Sequence, residues 1–331
     1  MAQIRFLYVC FFLFSSTMFS MMKDAKIYVA GHKGLVGSAI VRCLLSAGYT
    51  NIIGRTSSEL DLRDQQAVRN FFDQEKPEYV FLAAAKVGGI HANNTYPAQF
   101  IYNNLAIQTN VIHESYKHGV KKLVFLGSSC IYPRECSQPI KEEYLLTSPL
   151  EKTNEAYAIA KIAGLKLCEY YNKQYGISFI AVMPTNLYGP NDNFDLESSH
   201  VIPALLVKIY NAYKNNSPYC EVWGTGNPLR EFLHVDDLAQ ALLLLMNTYD
   251  GNNIVNIGSG KDLSIRELVT LIKNIIGYEG EIVWKSSQPD GTPRKLLNID
   301  TLTNMGWQPQ ISLLDGLKET VSWCHTNGIF G

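Results

Sequence analysis

The sequence predicts an α/β protein: a doubly wound parallel sheet with a smaller, partly discontinuous C-terminal domain. Three observations predict it. From Lys26 onward, short β-branched runs alternate with stretches of helical period, the pattern of repeated strand–helix–strand units. The run Tyr79-Val80-Phe81-Leu82-Ala83-Ala84-Ala85 is apolar throughout, as a strand covered on both faces must be. And the first run passes directly into a glycine-rich turn that opens an apolar helix.

Taken in order, the expected strands are Lys26–Ala30, Asn51–Gly54, Tyr79–Ala83, Lys122–Leu126 and Ser178–Met183. Between them the helical stretches near Leu35–Ala47, Gln65–Gln74, Ala98–His118 and Asn154–Tyr175 are long enough to cross from one parallel strand to the next. Beyond Pro184 the regularity weakens. Asn, Gly, Pro and Ser gather through Asn186–Ser199 and Tyr213–Pro228, so a looser, loop-rich second domain is expected there. The helix Val235–Met246 and the strand-like Ile254–Ile257 are expected to return to the main sheet. The division is then residues 23–185 and 186–331, with a segment near 230–258 rejoining the first unit.

Residues 1–22 do not fit this pattern. Arg5 precedes an apolar run from Phe6 to Phe14, followed by Ser15, Ser16, Thr17 and Ser20. The run is too short to cross a bilayer, which takes about 20 residues. Two readings stand: a targeting or anchoring leader, or an untranslated or disordered one, with Met21 or Met22 as the start.

With 331 residues, 47% of them hydrophobic and 18% charged, the chain has the composition of a globular protein with a substantial core, not of a disordered tail. The balance of 29 basic against 30 acidic residues gives no electrostatic reason to expect a nucleic acid, and no membrane partner is expected. Seven cysteines are scattered without a Cys-x-x-Cys pair, and the seven histidines are equally dispersed. Neither a disulfide framework nor a metal site is signalled, and a reducing, cytoplasmic setting is expected.

The turn is Gly31-His32-Lys33-Gly34-Leu35-Val36-Gly37. Its glycines let the chain turn tightly, let backbone approach a pyrophosphate and let the helix pack closely on its strand, while the helix N-terminus offers free amides to the phosphates. Near the end of the second strand, where an NAD site usually carries an acid for the ribose hydroxyl, the sequence reads Gly54-Arg55-Thr56-Ser57. Arg55, helped by Lys33, would pair with a 2′-phosphate, so NADP(H) is favoured over NAD. Asp61 and Leu62, slightly downstream, are expected beside adenine.

Tyr157 and Lys161 lie four residues apart in an expected helix and so share a face. An ammonium beside the phenol should favour the phenolate and bring proton exchange within reach of neutral pH. Ser128 follows a strand end, where ligands gather in open α/β sheets, and is placed to donate to a carbonyl under reduction.

With these residues the sequence resembles the extended short-chain dehydrogenase/reductase superfamily, and within it the branch that epimerises and reduces GDP-keto sugars. The likeness covers essentially residues 26–325. Its most specific segments are Ala83-Ala84-Ala85-Lys86-Val87-Gly88-Gly89-Ile90, Gly127-Ser128-Ser129-Cys130-Ile131-Tyr132-Pro133, Met183-Pro184-Thr185-Asn186-Leu187-Tyr188-Gly189-Pro190, Ser199-His200-Val201-Ile202-Pro203-Ala204 and Pro289-Asp290-Gly291-Thr292-Pro293-Arg294-Lys295.

The resemblance implies a Rossmann-type fold and conversion of GDP-4-keto-6-deoxy-D-mannose to GDP-L-fucose, by inversion at carbons 3 and 5 and then reduction by NADPH. It implies acid/base roles for Cys130 and His200 beside Ser128, Tyr157 and Lys161. It places Leu126, Gly127, Ser128, Ser129, Lys161, Pro184, Thr185, Asn186, Leu187 and His200 along the cofactor. For the GDP-sugar it implies Lys208, Trp223, Arg230 and Asp290, with ordinary core burial of Trp223 as the rival. The superfamily's habit implies a homodimer through the helices near Ala98–His118 and Asn154–Tyr175. Sugar-nucleotide dehydratases carry acids shortly after the serine strand, whereas this chain reads Ser129-Cys130-Ile131, which disfavours elimination of water. The family often has a further arginine near Ser57, so the grip on a 2′-phosphate falls to Arg55 and Lys33. Another sugar-nucleotide epimerase or reductase, and a non-catalytic NADPH sensor, remain as alternatives.

Overall fold

A computed structural model describes residues 20–288 and 290–331. Its strands are β1 (Ile27–Ala30), β2 (Ile52–Ile53), β3 (Tyr79–Leu82), β4 (Lys122–Leu126), β5 (Ser178–Pro184), β6 (Asn186–Tyr188), β7 (Tyr219–Trp223), β8 (Leu229–His234), β9 (Val255–Ile257), β10 (Asp262–Ser264), β11 (Glu281–Lys285) and β12 (Arg294–Lys295). Its helices are α1 (Leu35–Ser46), α2 (Gln65–Glu75), α3 (Ile90–Thr95), α4 (Pro97–Lys117), α5 (Glu155–Tyr175), α6 (Val201–Lys214), α7 (Val235–Thr248), α8 (Ile265–Ile276), α9 (Asp300–Asn304) and α10 (Leu313–Thr326).

Six strands form one parallel sheet in the order β2-β1-β3-β4-β5-β9. Apolar side chains on both faces of these strands explain why both faces are covered. Val29, Phe81, Val124 and Val182 pack with α1 and α7, whereas Val80, Leu82, Phe125 and Phe179 pack toward α2, α4 and α5. The chain runs from β1 out to β2, then crosses back to β3 on the other side of β1. The switch point therefore lies between β1 and β3, where open α/β sheets leave a crevice beyond the strand ends.

Local signals set the helix ends. Asp64 accepts from the amides of Gln66 and Ala67 to start α2, and Gly176, at φ 65°, ends α5 in the left-handed conformation that glycine adopts without steric cost. Ser264 and Glu267 form a reciprocal capping box on α8.

Beyond β5 the chain is more ordered than its composition suggests. The stretches Asn186–Ser199 and Tyr213–Pro228, read as loops, contain β6 and β7. Each strand is short and pairs with a partner distant in sequence: β6 with β8, and β7 with β11. Neither pairing has a local periodicity to announce it. A third apolar core, including Leu206, Ile209, Phe232, Leu268 and Leu317, lies under α6, α8 and α10. Strand β9, after α7, pairs with β5 at the edge of the large sheet.

The apolar run Phe6–Phe14 lies outside the described residues. Met21, counted with the leader by sequence, is buried, and its amide donates to Asn247 Oδ1 at 2.8 Å. Among the described residues no helix is long and apolar enough to cross a membrane.

Candidate active site

A cleft of about 1380 Å³ opens beyond the C-terminal ends of β1, β3, β4 and β5, with the second apolar unit forming its far wall. At its dinucleotide end, Gly31 has φ 85°, and a Cβ there would stand 2.9 Å from the Ala84 amide nitrogen. A Cβ on Gly37 would run into the carbonyl of Gly31. Only glycine fits these two positions, and the result is bare backbone facing the cleft where α1 begins. Gly34 caps that helix without any side-chain hydrogen bond, so its first amides are left to a ligand. The fit to a dinucleotide pyrophosphate rests on this cradle. His32, Lys33, Leu35 and Val36 line the same wall, and burial together with the Lys33 charge holds the His32 imidazole below its ordinary value.

Arg55 also lines the cleft, but its guanidinium is not free. It donates to Glu75 Oε1 at 2.6 Å and to the carbonyl of Gly54 at 2.9 Å. A 2′-phosphate must compete with Glu75 for it. Asp61 is paired as well: Arg63 donates to it from Nε at 2.9 Å and from Nη2 at 2.7 Å, and these bonds bring the carboxyl down to about 2. Arg63 lines the cleft beside Leu62 and was not singled out by sequence, where it reads as one charge in a polar loop.

Leu126, Gly127, Ser128 and Ser129 carry the chain from β4 across the cleft floor, and Pro184, Thr185, Asn186 and Leu187 do the same from β5 to β6. Ser128 has an extended backbone, and its Oγ accepts the Cys130 amide at 3.2 Å, which starts a single 3-10 turn over Ser129–Ile131. That turn sets Cys130 on the same wall as Ser128. Tyr157 and Lys161, one helical turn apart in α5, face them.

Lys161 is almost completely buried, and its ammonium donates to the carbonyl of Leu126 at 2.7 Å. Burial without a neighbouring carboxylate lowers its pKa to about 7. The expectation that this ammonium draws the Tyr157 phenol toward its phenolate is overturned. Burial pushes the phenol well above its ordinary value, and the nearby Cys130 adds to the rise, against a smaller opposing effect from its hydrogen bond with Ser128. Lys161 Nζ lies 5.8 Å from the centre of the Tyr157 ring and spends a hydrogen bond on Leu126, too distant and too readily neutralised to reverse the burial.

Cys130 behaves in the opposite way. Burial raises its thiol, but Lys295, with Nζ 3.6 Å from the sulfur, the Ser128 hydroxyl and Arg230 outweigh that and hold it below its ordinary value. Lys295 lies in β12, which pairs in register with Arg230 of β8. It went unrecognised in the sequence as a site residue because 165 positions separate it from Cys130. His200 caps the N-terminus of α6 and is exposed to the cleft, its pKa held below its ordinary value by the cleft walls around it and by the Lys295 charge.

At the far end, Lys208 Nζ lies 4.8 Å from the centre of the Trp223 ring, and both line the cleft. Trp223 is 50% exposed, which excludes ordinary core burial. Arg230 donates to the carbonyl of Asp290 at 3.2 Å. Asp290, expected to accept from the nucleoside, already accepts from Thr225, from the amide and the hydroxyl at 2.8 Å each. Its carboxylate braces the Gly224–Thr225 turn, and only its remaining lone pairs face a ligand.

A phenol facing the cleft with a buried lysine one turn away, a serine at a strand end and a glycine cradle on a doubly wound sheet describe a dinucleotide-dependent enzyme acting on carbonyls. The chain belongs to the NAD dependent epimerase/dehydratase family, which it matches over residues 27–258. It is 61% identical over 301 residues to GDP-L-fucose synthase 1 of Arabidopsis thaliana, covering 91% of this chain and 93% of that one. It is 52% identical over 311 residues to GDP-L-fucose synthase of Escherichia coli strain K12, covering 91% and 97%. Among solved structures, a GDP-L-fucose synthetase from Naegleria fowleri bound to NADP superposes with a TM-score of 0.86 at 31% identity, covering 94% of this chain and 97% of that one.

Proposed function

We propose that the chain converts GDP-4-keto-6-deoxy-D-mannose to GDP-L-fucose with NADPH, inverting carbons 3 and 5 before reducing carbon 4. One observation carries this reading beyond the relatives' names: a thiol poised by an ammonium 3.6 Å away stands beside Ser128 and Tyr157, where a dehydratase would need a carboxylic acid. Carbons 3 and 5 both flank the keto group, so each loses its proton once the enolate oxygen is stabilised. Ser128 and Tyr157 donate hydrogen bonds to that oxygen. Cys130 and His200 take a proton from one face and return one to the other, and the lowered thiol pKa moves Cys130 toward the thiolate that proton removal needs.

When bound, NADPH supplies the hydride to carbon 4. Tyr157 gives its phenolic proton to the keto oxygen, and its raised pKa keeps it protonated for that task. Lys161, whose pKa is about 7, replaces that proton from behind. Lys33 and Arg55 hold the 2′-phosphate, Asp61 and Leu62 flank adenine, and Lys208, Trp223, Arg230 and Asp290 hold the GDP-sugar, the cations on its diphosphate and the indole against a flat or apolar face.

Residues 23–185, with β9, form the dinucleotide unit and 186–331 supply the sugar-nucleotide wall. The protein works in the cytoplasm as a homodimer through α4 and α5, which expose Tyr102, Ile159 and Tyr170 and share a surface cluster of Tyr116, Tyr171 and Tyr175. Purified protein incubated with GDP-4-keto-6-deoxy-D-mannose and NADPH should consume NADPH and yield GDP-L-fucose. NADPH consumption with an uninverted product, or none at all, refutes the reading.

A further inference from the structure

The loop from β3 to α3 is fixed in place by two buried asparagines. Asn104 accepts the Lys86 amide and donates to the Lys86 carbonyl, each at 2.9 Å, and Asn93 donates to the carbonyls of Gly88 at 2.7 Å and Gly89 at 3.0 Å. Both asparagines are less than a tenth exposed. The loop tip therefore has a defined position without a ligand, and it points across the cleft. There the Gly89 amide donates to the carbonyl of Ser198 at 2.9 Å. A Cβ on Gly89 would lie 2.5 Å from the Ser199 carbonyl oxygen, and one on Gly88 would lie 3.4 Å from that of Ser198. Two backbones meet here with no room for a side chain between them.

Ser199 is followed directly by His200, whose carbonyl begins α6 by accepting the Ala204 amide at 3.1 Å. The segment before it is braced internally: Asp195 accepts from the amide and hydroxyl of Ser198, and its carbonyl accepts from Ser199. Among the described residues, that segment is hydrogen-bonded to the large-sheet half of the molecule by Gly89 and by Asn191, which donates to Ser38 at 3.2 Å. Of the two, the Gly89 contact is the one adjoining His200.

We propose that Gly89, aimed by Asn93, is a positioning residue that sets the His200 imidazole against the substrate across the cleft. This rests on the proton-transfer role given to His200 above. Gly89 lines the cleft, and in this role it acts through its amide's bond to Ser198. It fixes the distance between the wall bearing Ser128, Cys130 and Tyr157 and the wall bearing His200, and displacement of a reacting group by about 1 Å costs roughly 100-fold in rate.

The test is deuterium uptake at carbons 3 and 5 of GDP-4-keto-6-deoxy-D-mannose in heavy water, followed by mass spectrometry for wild type, Gly89→Ala, His200→Asn and the double variant. Gly89→Ala should slow uptake roughly 100-fold, and NADPH binding, read by nicotinamide fluorescence, should change little. The double variant should be no slower than His200→Asn alone, because Gly89 acts through the imidazole. Multiplying losses, or unimpaired uptake by Gly89→Ala, overturn the role. Should circular dichroism show Gly89→Ala unfolded, Asn93→Ala replaces it in the same cycle with the same expectation, and independent losses there overturn the role equally. A wild-type chain that takes up no deuterium refutes the functional reading itself, an outcome distinct from exchange that ignores Gly89.

Discussion

The ammonium of Lys295 stands 3.6 Å from the sulfur of Cys130, although 165 positions of sequence separate β12 from the turn after β4. That pairing separates two half-buried groups that line one cleft: the thiol is drawn toward its anion while the Tyr157 phenol is held in its acid form. In the proposed reaction one serves as the base and the other as the acid, and their surroundings assign them.

Replacing Lys295 with Met removes the charge and leaves burial to act on the thiol alone. The pH at which Cys130 reacts half-maximally with iodoacetamide should rise, and deuterium uptake at carbons 3 and 5 should fall by about tenfold or more. An unchanged alkylation profile would show that the ammonium does not govern the sulfur.

Tyr157→Phe deletes the proton donor without opening the core. Turnover should drop by roughly 100-fold to 10,000-fold, and NADPH affinity should stay near wild type. Retained turnover at the wild-type rate rules out Tyr157 as the acid.

Lys161 links stability to pH. Its folded pKa, about 7, lies below the ordinary 10.5, so the unfolded chain binds more of this proton between those values. Its contribution to stability is complete above about 10.5 and is lost as the pH falls through about 7. Lys161→Met should therefore raise the melting temperature more at pH 6 than at pH 9 while abolishing turnover. Calorimetry that finds an equal shift at both values refutes the buried-cation account.

Glu75 and a 2′-phosphate are rivals for the Arg55 guanidinium. Arg55→Ala should lower the preference for NADPH over NADH by about tenfold. Glu75→Gln, which frees the guanidinium from its 2.6 Å partner, should raise that preference. Ratios of kcat/KM for the two cofactors decide it, and a fall with Glu75→Gln contradicts the competition.

Gly37→Ala forces a methyl group into the Gly31 carbonyl. Fluorescence titration should show NADPH binding weakened by about tenfold or more, since the phosphate-facing turn must open. Normal affinity would mean that the close approach is dispensable.

Much of this site is written locally. The strand run Tyr79–Leu82, the glycine turn, and the four-residue spacing of Tyr157 and Lys161 each depend on neighbours in sequence, so period and composition suffice to find them. Partners recruited from afar leave no such trace. Glu75 reaches Arg55 only because α2 folds back along β2, Thr225 occupies Asp290 across two loops, and Lys295 meets Cys130 only after β12 has paired with β8. The rise in the Tyr157 pKa is hidden for the same reason. A sequence shows that an amine is one turn away, but not that a carbonyl of another strand already holds it.

Strand β9 adds a condition on synthesis. Until residue 257 has left the ribosome, Val182, Met183 and Pro184 at the end of β5 lack their partner strand and extend the open edge of the sheet, a template for another nascent chain. Expressed alone, the first 185 residues should self-associate, and co-expression with the remainder should restore a well-behaved particle. The last strand of the large sheet is delivered only after β6, β7 and β8 of the second unit have been translated, so the two halves of the enzyme mature together.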